Sequence, residues 1–253
     1  MSEHVIVKEE GGVLSLRLNR ADKKNALTDA MYGALVEAME RAEGDAAVRV
    51  VTITGEGADF CAGNDIGDFL AAGDRVQEAN VFRFIRLLGT FGKPLVAGVR
   101  GRAVGIGTTM LLHCDYVVAA DDARLTTPFA ALGLVPEAAS SVLLPARVGH
   151  ARAFAMLALG EAMGAEEALR LGLVNRQVAA GELDEAVAEA ASRIAALPPG
   201  AIQATKALMR DPAMLGAVMQ AEGKVFGERL KSEEAREAFT AFMQKRAPDF
   251  SRF

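Results

Sequence analysis

The chain has 253 residues, half of them apolar (51%), with a formal charge of −5. That length and composition suffice for one large domain or a domain with an appendage, and the acidic balance gives no electrostatic reason to expect nucleic acid or an anionic membrane as partner. Two cysteines, Cys61 and Cys114, and three scattered histidines, His4, His113 and His150, form neither a disulfide framework nor a metal site. No apolar run reaches membrane-spanning length. The acidic, strand-like start is unlike a targeting peptide, and the ending Ser251, Arg252, Phe253 is not a clear peroxisomal signal. A cytoplasmic protein is the expectation.

Residues 5–8 and 13–18 carry short apolar runs separated by Glu9, Glu10, Gly11 and Gly12, which predicts a β-hairpin. A polar loop over 19–25 brings Arg20, Lys23 and Lys24. Thr28 has the character of an N-cap, with Met31, Leu35 and Met39 on one face of a helix running to about Ala42. The β-branched run over 48–54 predicts a buried strand. Residues 55–69 form a glycine-bearing turn whose small residues let a ligand approach the backbone; Asn64 and Asp65 taken alone are ordinary turn residues.

A helix is expected from about Arg75 to Gly89, then a strand over 95–99 that Pro94 begins. Gly101, Gly105 and Gly107 then make a turn that opens a helical segment. Further strands are expected over 116–119, 123–126 and 173–178, helices over 151–159, 165–171 and 183–196, and only helix beyond Pro198, Pro199 and Gly200. Leu215, Val218, Val225, Leu230, Phe239 and Phe242 in the terminal segment suit packing on another subunit or folding back on the chain's own core equally well. The alternation gives an α/β fold, with a core over 1–197 and a helical region over 198–253.

A buried strand feeding a turn that opens a helix leaves unpaired N–H groups where negative charge is favoured. Such a turn can hold a phosphate, or the oxyanion formed when a carbonyl is attacked or enolised. Gly105, Ile106, Gly107 lacks the third glycine of the dinucleotide fingerprint, no Gly-Lys-Ser/Thr follows it, and the chain has no Gly-x-Ser-x-Gly elbow. An oxyanion hole remains, with the turn at Ala62, Gly63 and Asn64 as the other candidate source of a donor. Glu137 follows Pro136 among apolar and small residues. A partly desolvated general base and a surface Glu at a helix start are equally compatible with that setting.

Several motifs in order carry a resemblance over essentially the whole chain. They are Asn19, Arg20 with Asn25, Ala26, Leu27; Phe60, Cys61, Ala62, Gly63, Asn64, Asp65, Ile66; and Lys93, Pro94. Then come Ala103 to Gly107; Cys114, Asp115; Gly133 to Pro136; Ala168 with Gly172 to Asn175; and Ala238, Phe239 before Lys245, Arg246. The chain resembles the crotonase (enoyl-CoA hydratase/isomerase) superfamily, and within it the peroxisomal-type Δ3,Δ2-enoyl-CoA isomerases. The resemblance implies a crotonase-like spiral of ββα units with a C-terminal α-helical trimerisation region. It implies an acyl-CoA thioester substrate, coenzyme A entering as part of the substrate, and no metal or separate cofactor. The implied partner is a second and third copy of the chain, as a homotrimer or dimer of trimers.

Carried over by position, the thioester oxygen would be held by the N–H groups of Asn64 and Ile106, beside Gly105. Backbone from Ala62 through Gly63, Asn64 and Asp65 to Ile66 would contact coenzyme A, and Lys23 or Lys24 would face its phosphates. Hydratases of the superfamily carry two glutamates where this chain has Thr109 and Phe129. The isomerases use a single one, matching Glu137. An acyl-CoA double-bond isomerase is the resulting expectation. The alternatives are a hydratase or other crotonase reaction using Glu137 or Asp65 with water, and a non-catalytic acyl-CoA-binding protein.

Overall fold

The computed structural model describes residues 2–71 and 79–253, with the side chains of 69–71 also outside that description. Strands β1 (Val5–Glu10) and β2 (Val13–Leu18) pair antiparallel across Gly11 and Gly12. Those two glycines have φ of 60° and 80°, a hairpin turn that residues with a Cβ enter only with strain. Leu14, Leu16 and Leu18 alternate into the core. The Thr28 hydroxyl accepts the Met31 N–H at the start of α1 (Asp29–Gly44), and Met31, Leu35 and Met39 are buried as the spacing predicts.

The chain then adds parallel strands β3 (Val50–Gly55), β4 (Leu95–Val99), β6 (Tyr116–Ala120) and β9 (Arg176–Val178) to one six-stranded sheet, in the order β1-β2-β3-β4-β6-β9. After β4 and after β6 it steps sideways into β5 (Arg102–Val104) and β7 (Arg124–Thr126), which pair parallel, and β8 (Met163–Gly164) joins β7 antiparallel. Repeated two-strand-plus-helix turns are the spiral that the resemblance implies. β5 and β8 have only three and two residues, too short for a periodicity to show. The strand expected over 173–178 is shortened at its start, because the Leu173 and Val174 N–H groups instead close α7 (Ala165–Arg170) on the Ala168 carbonyl.

Helices α2 (Ile66–Ala71) and α3 (Asn80–Thr90) follow β3; the start of the helix expected from Arg75 lies outside the described residues. The turn after β5 opens a single α-turn, α4 (Ile106–Thr109), continued by a 3₁₀ turn over Met110–His113. Then come α5 (Ser140–Val148), α6 (His150–Leu157) and, after β9, α8 (Leu183–Ala195). The terminal region is α9 (Pro199–Met209), α10 (Pro212–Leu230) and α11 (Glu233–Met243). Its apolar residues divide between the two expectations only in their exposure. Leu215, Met219, Phe226 and Phe239 fold back, the last two against Phe129 and Leu134, whereas Val225 and Phe242 stay exposed. Lys206 of α9 is also buried, donating to Asp115 and to the Lys93 carbonyl at 2.7 and 2.6 Å. Among the described residues, no helix is long and apolar enough to cross a membrane.

Candidate active site

The turns expected to supply the two oxyanion donors lie side by side. Cys61 bridges to Ala103, with Cys61 N–H donating to Arg102 O at 3.0 Å and Val104 N–H to Cys61 O at 2.9 Å. This approach requires glycine at 107, because a Cβ there would stand 2.7 Å from the Cys61 carbonyl oxygen. Gly105 has φ 54° and ψ −119°, a conformation open essentially to glycine alone. On the other turn Leu27 N–H donates to Gly63 O and Asp65 N–H to Leu27 O, both at 2.8 Å, skipping the residue between them. Neither Asn64 N–H nor Ile106 N–H donates to a protein acceptor among the described residues.

Three residues beyond Ile106 stands Thr109, wholly buried, whose hydroxyl donates to Oε1 of Glu137 at 2.5 Å. Oε2 of Glu137 is shielded from water and has no protein hydrogen-bond partner. Burial pushes the carboxyl up to about 8; the Thr109 hydrogen bond pulls the other way, and the charge of Glu222 adds to the rise. Of the two settings open to Glu137 in sequence, the structure shows the desolvated one: the residue precedes α5 by three positions and its carboxyl end faces inward. Glu137 and Asn64 line one pocket, walled by Ile85, Met219 and Phe226 and reached by Glu222. Its enclosed space is small, about 20 Å³.

The chain after Glu137 is unusual. Ala138 and Ala139 are both left-handed, with φ of 58° and 56°, at a cost of about 1–2 kcal/mol each for a residue with a Cβ. Polar groups of this turn are held from several elements. Glu137 O accepts from the Ser140 hydroxyl at 2.6 Å, and Ala138 O meets His113 Nε2 at 2.7 Å. Arg210 can only donate, so its 3.1 Å contact to His113 Nδ1 leaves the proton on Nε2, aimed at Ala138 O. Burial holds that imidazole neutral, its pKa lowered to about 3. Ala139 N–H donates to Oε2 of Glu222 at 2.7 Å, and Ser141 gives Oε1 both its N–H and its hydroxyl at 3.0 and 2.5 Å.

The remaining expected residues fall around this centre. The Asn64 side chain accepts the hydroxyl of buried Tyr32. Asp65 turns to Arg20 at 2.7 Å and accepts the Asp68 N–H in the first turn of α2, and its carboxyl is held low by Arg20. It is a fixed anion and does not line the pocket of Glu137. Ile66 packs beside Phe129, which is buried among apolar side chains. Lys23 and Lys24 are exposed, and the Lys24 carbonyl accepts the Ala62 N–H at 2.9 Å, which brings this loop beside the Ala62 turn. Asn25, buried with φ 56°, ties the loop to the Glu56 and Asp59 carbonyls.

Tyr32 and Glu222 belong to this site and are not among the residues singled out in sequence. Tyr32 sits on the buried face of α1, where an apolar stripe conceals it, and Glu222 is one of many carboxylates on the terminal helices. A larger cavity, about 390 Å³, is lined in part by Leu112, Asp115, Arg147, Lys206 and Arg210 and shares no lining residue with the first. Its cations are already engaged: Lys206 by Asp115, Arg147 by the Leu112 carbonyl, Arg210 by His113.

Comparison with known proteins bears on what such a site does. The family model described as enoyl-CoA hydratase/isomerase matches residues 8–252. Enoyl-CoA delta isomerase 2 of Rattus norvegicus is 36% identical over 97% of this chain, which spans 64% of the rat protein's length. The 2,3-dehydroadipyl-CoA hydratase of Escherichia coli is also 36% identical, over 99% of both chains. Among solved structures, the enoyl-CoA hydratase/isomerase of Pseudoalteromonas atlantica superposes with TM-score 0.94 at 40% identity, covering 98% of this chain and 100% of its own. OdaA of Pseudomonas aeruginosa superposes with TM-score 0.91 at 48% identity, covering 96% and 99%.

Proposed function

The chain belongs to the enoyl-CoA hydratase/isomerase family, and from that premise and the geometry around Glu137 we propose that it is an acyl-CoA double-bond isomerase. It converts 3-enoyl-CoA to 2-trans-enoyl-CoA. The observation that carries the proposal is one buried carboxylate with a free oxygen, in a pocket that offers no second free carboxylate among the described residues. Hydration by two glutamates holds a water between them. Here the corresponding side chains are a threonine bonded to the base and a buried phenylalanine, and both oxygens of Glu222 are taken up by backbone and hydroxyl donors.

In the proposed reaction Oε2 of Glu137 removes a proton from C2 of the acyl chain, and the electrons move through the C2–C1 bond onto the thioester oxygen. The N–H groups of Asn64 and Ile106 stabilise that oxygen in the dienolate. Reprotonation at C4 by the same carboxyl returns the proton and leaves the double bond between C2 and C3. The shift is redox-neutral, and coenzyme A takes part only as the carrier of the acyl group. Apolar walls from Ile85, Met219 and Phe226 strengthen the electrostatic interactions by lowering the local dielectric.

Purified protein assayed in parallel on 3-enoyl-CoA and 2-enoyl-CoA tests the proposal. Isomerisation of the first gains conjugated enoyl absorbance; hydration of the second loses it. Loss on 2-enoyl-CoA with no gain on 3-enoyl-CoA would make the protein a hydratase instead.

A further inference from the structure

Helix α5 begins without a cap of its own. Its N-cap residue is Ala139, whose side chain has no oxygen to offer the first N–H groups. The missing acceptor comes from α10, where Glu222 takes the Ala139 N–H on one oxygen and both donors of Ser141 on the other. The carboxylate is 9% exposed, and no Lys, Arg or His forms an ion pair with it among the described residues. An ordinary cap would leave the matter there. This one also lines the pocket that holds Glu137, and it grips the chain at the second of the two left-handed alanines that follow Glu137 and again at Ser141.

We propose that Glu222 is the positioning residue for the base: its carboxylate locks the backbone after Glu137 and lines the same pocket, where its negative charge adds to the hold of Glu137 on its proton. The inference rests on Glu137 being the base of the proposed isomerisation. Three protein donors already bond the Glu222 oxygens, one on Oε2 and two on Oε1. Other groups around the pair do not supply the charge. Tyr32 on α1 is kept neutral by burial, its pKa raised well above the ordinary tyrosine value. His113 is neutral, and Arg210 behind it acts on the Ala138 carbonyl only through that imidazole.

Two effects follow and separate in the variants. Glu222→Gln removes the charge and turns an amide N–H₂ or a single oxygen toward donors that need two acceptors. Glu222→Asp keeps the charge and shortens the reach. The infrared C=O band of protonated Glu137, identified by its absence in Glu137→Gln, reads the base with no substrate present. Removing a neighbouring like charge favours the ionised form, so the band should disappear at a pH lower by about half a unit or more in Glu222→Gln and at the wild-type pH in Glu222→Asp.

Both variants should lose kcat on 3-enoyl-CoA by about 10- to 100-fold through misplacement of the base, with KM within about twofold of wild type. A band that titrates at the wild-type pH in folded Glu222→Gln overturns the inference, as does wild-type kcat in Glu222→Asp. Where Glu222→Gln does not fold, Glu222→Asp decides alone through kcat. If the band moves as expected but wild-type protein leaves 3-enoyl-CoA unchanged, the isomerase proposal fails and the link between Glu222 and Glu137 stands.

Discussion

Thr109 gives its hydroxyl hydrogen to Oε1 of Glu137 at 2.5 Å and thereby leaves Oε2 as the one carboxyl oxygen with nothing to hold. The hydrogen bond divides the carboxylate into an anchored oxygen and a working one. It also favours the ionised form that burial opposes. Thr109→Val should therefore raise the proton affinity of Glu137 by about one pH unit and lower kcat/KM at pH 7 roughly tenfold. Thr109→Ser should recover most of the loss. A pH–rate profile of the Val variant that overlays the wild type would contradict this role.

Glu137→Gln should lower isomerisation by about 10²–10⁴-fold, the usual contribution of a positioned general base, while binding of a non-reacting acyl-CoA stays close to wild type. Calorimetric titration and the absorbance assay on the same preparation check both halves.

With its carboxyl at about 8, Glu137 is mostly protonated at pH 7, yet a base works only when ionised. The kcat/KM on 3-enoyl-CoA should therefore climb close to tenfold per pH unit from about 6 and level off above about 8. A profile already flat below pH 6 would show that another group limits the proton transfer.

The same shift has a cost in stability. The folded carboxyl ionises near 8 and the unfolded one near the ordinary glutamate value of 4.5, so between these pH values the unfolded chain releases a proton that the folded one keeps. Stability is fully present below the lower value and is lost as pH rises through the upper one. Glu137→Gln removes that loss. Its advantage over wild type in chemical denaturation should grow from near zero at pH 4.5 to about 4–5 kcal/mol at pH 8.5.

Gly107→Ala tests the oxyanion turn. The added methyl would meet the Cys61 carbonyl oxygen at 2.7 Å and its Cβ at 2.9 Å, and backbone must move. A loss of about 1–3 kcal/mol is expected, with a fall in kcat larger than the fall in substrate affinity as the Ile106 N–H is displaced. Gly200→Ala, which meets nothing within 4 Å, is the matching control.

The chain's periodicities made most of the sheet and the long helices legible, because β2 alternates and β3 is buried along its whole length. The short strands β5 and β8 were not, since they owe their place to neighbours rather than to composition. The site divided in the same way. The resemblance singled out Asn64, Ile106 and Glu137, but no residue type announces left-handed alanines at 138 and 139. Those conformations are imposed from outside, by His113 and Glu222. Thr109 stood out in sequence as the place where a glutamate was missing; the structure shows a hydroxyl with its own bond to Glu137.

Glu222 lies on α10, far along the chain from Glu137, so that helix must exist before the turn carrying Glu137 can be held. A chain still being made on a ribosome could build the sheet from residues 5–178 and yet have a base free to wander. Synthesis at about 5–20 residues per second leaves several seconds between the emergence of the base and that of its clamp. Activity should thus switch on all at once, and only after α10 has emerged.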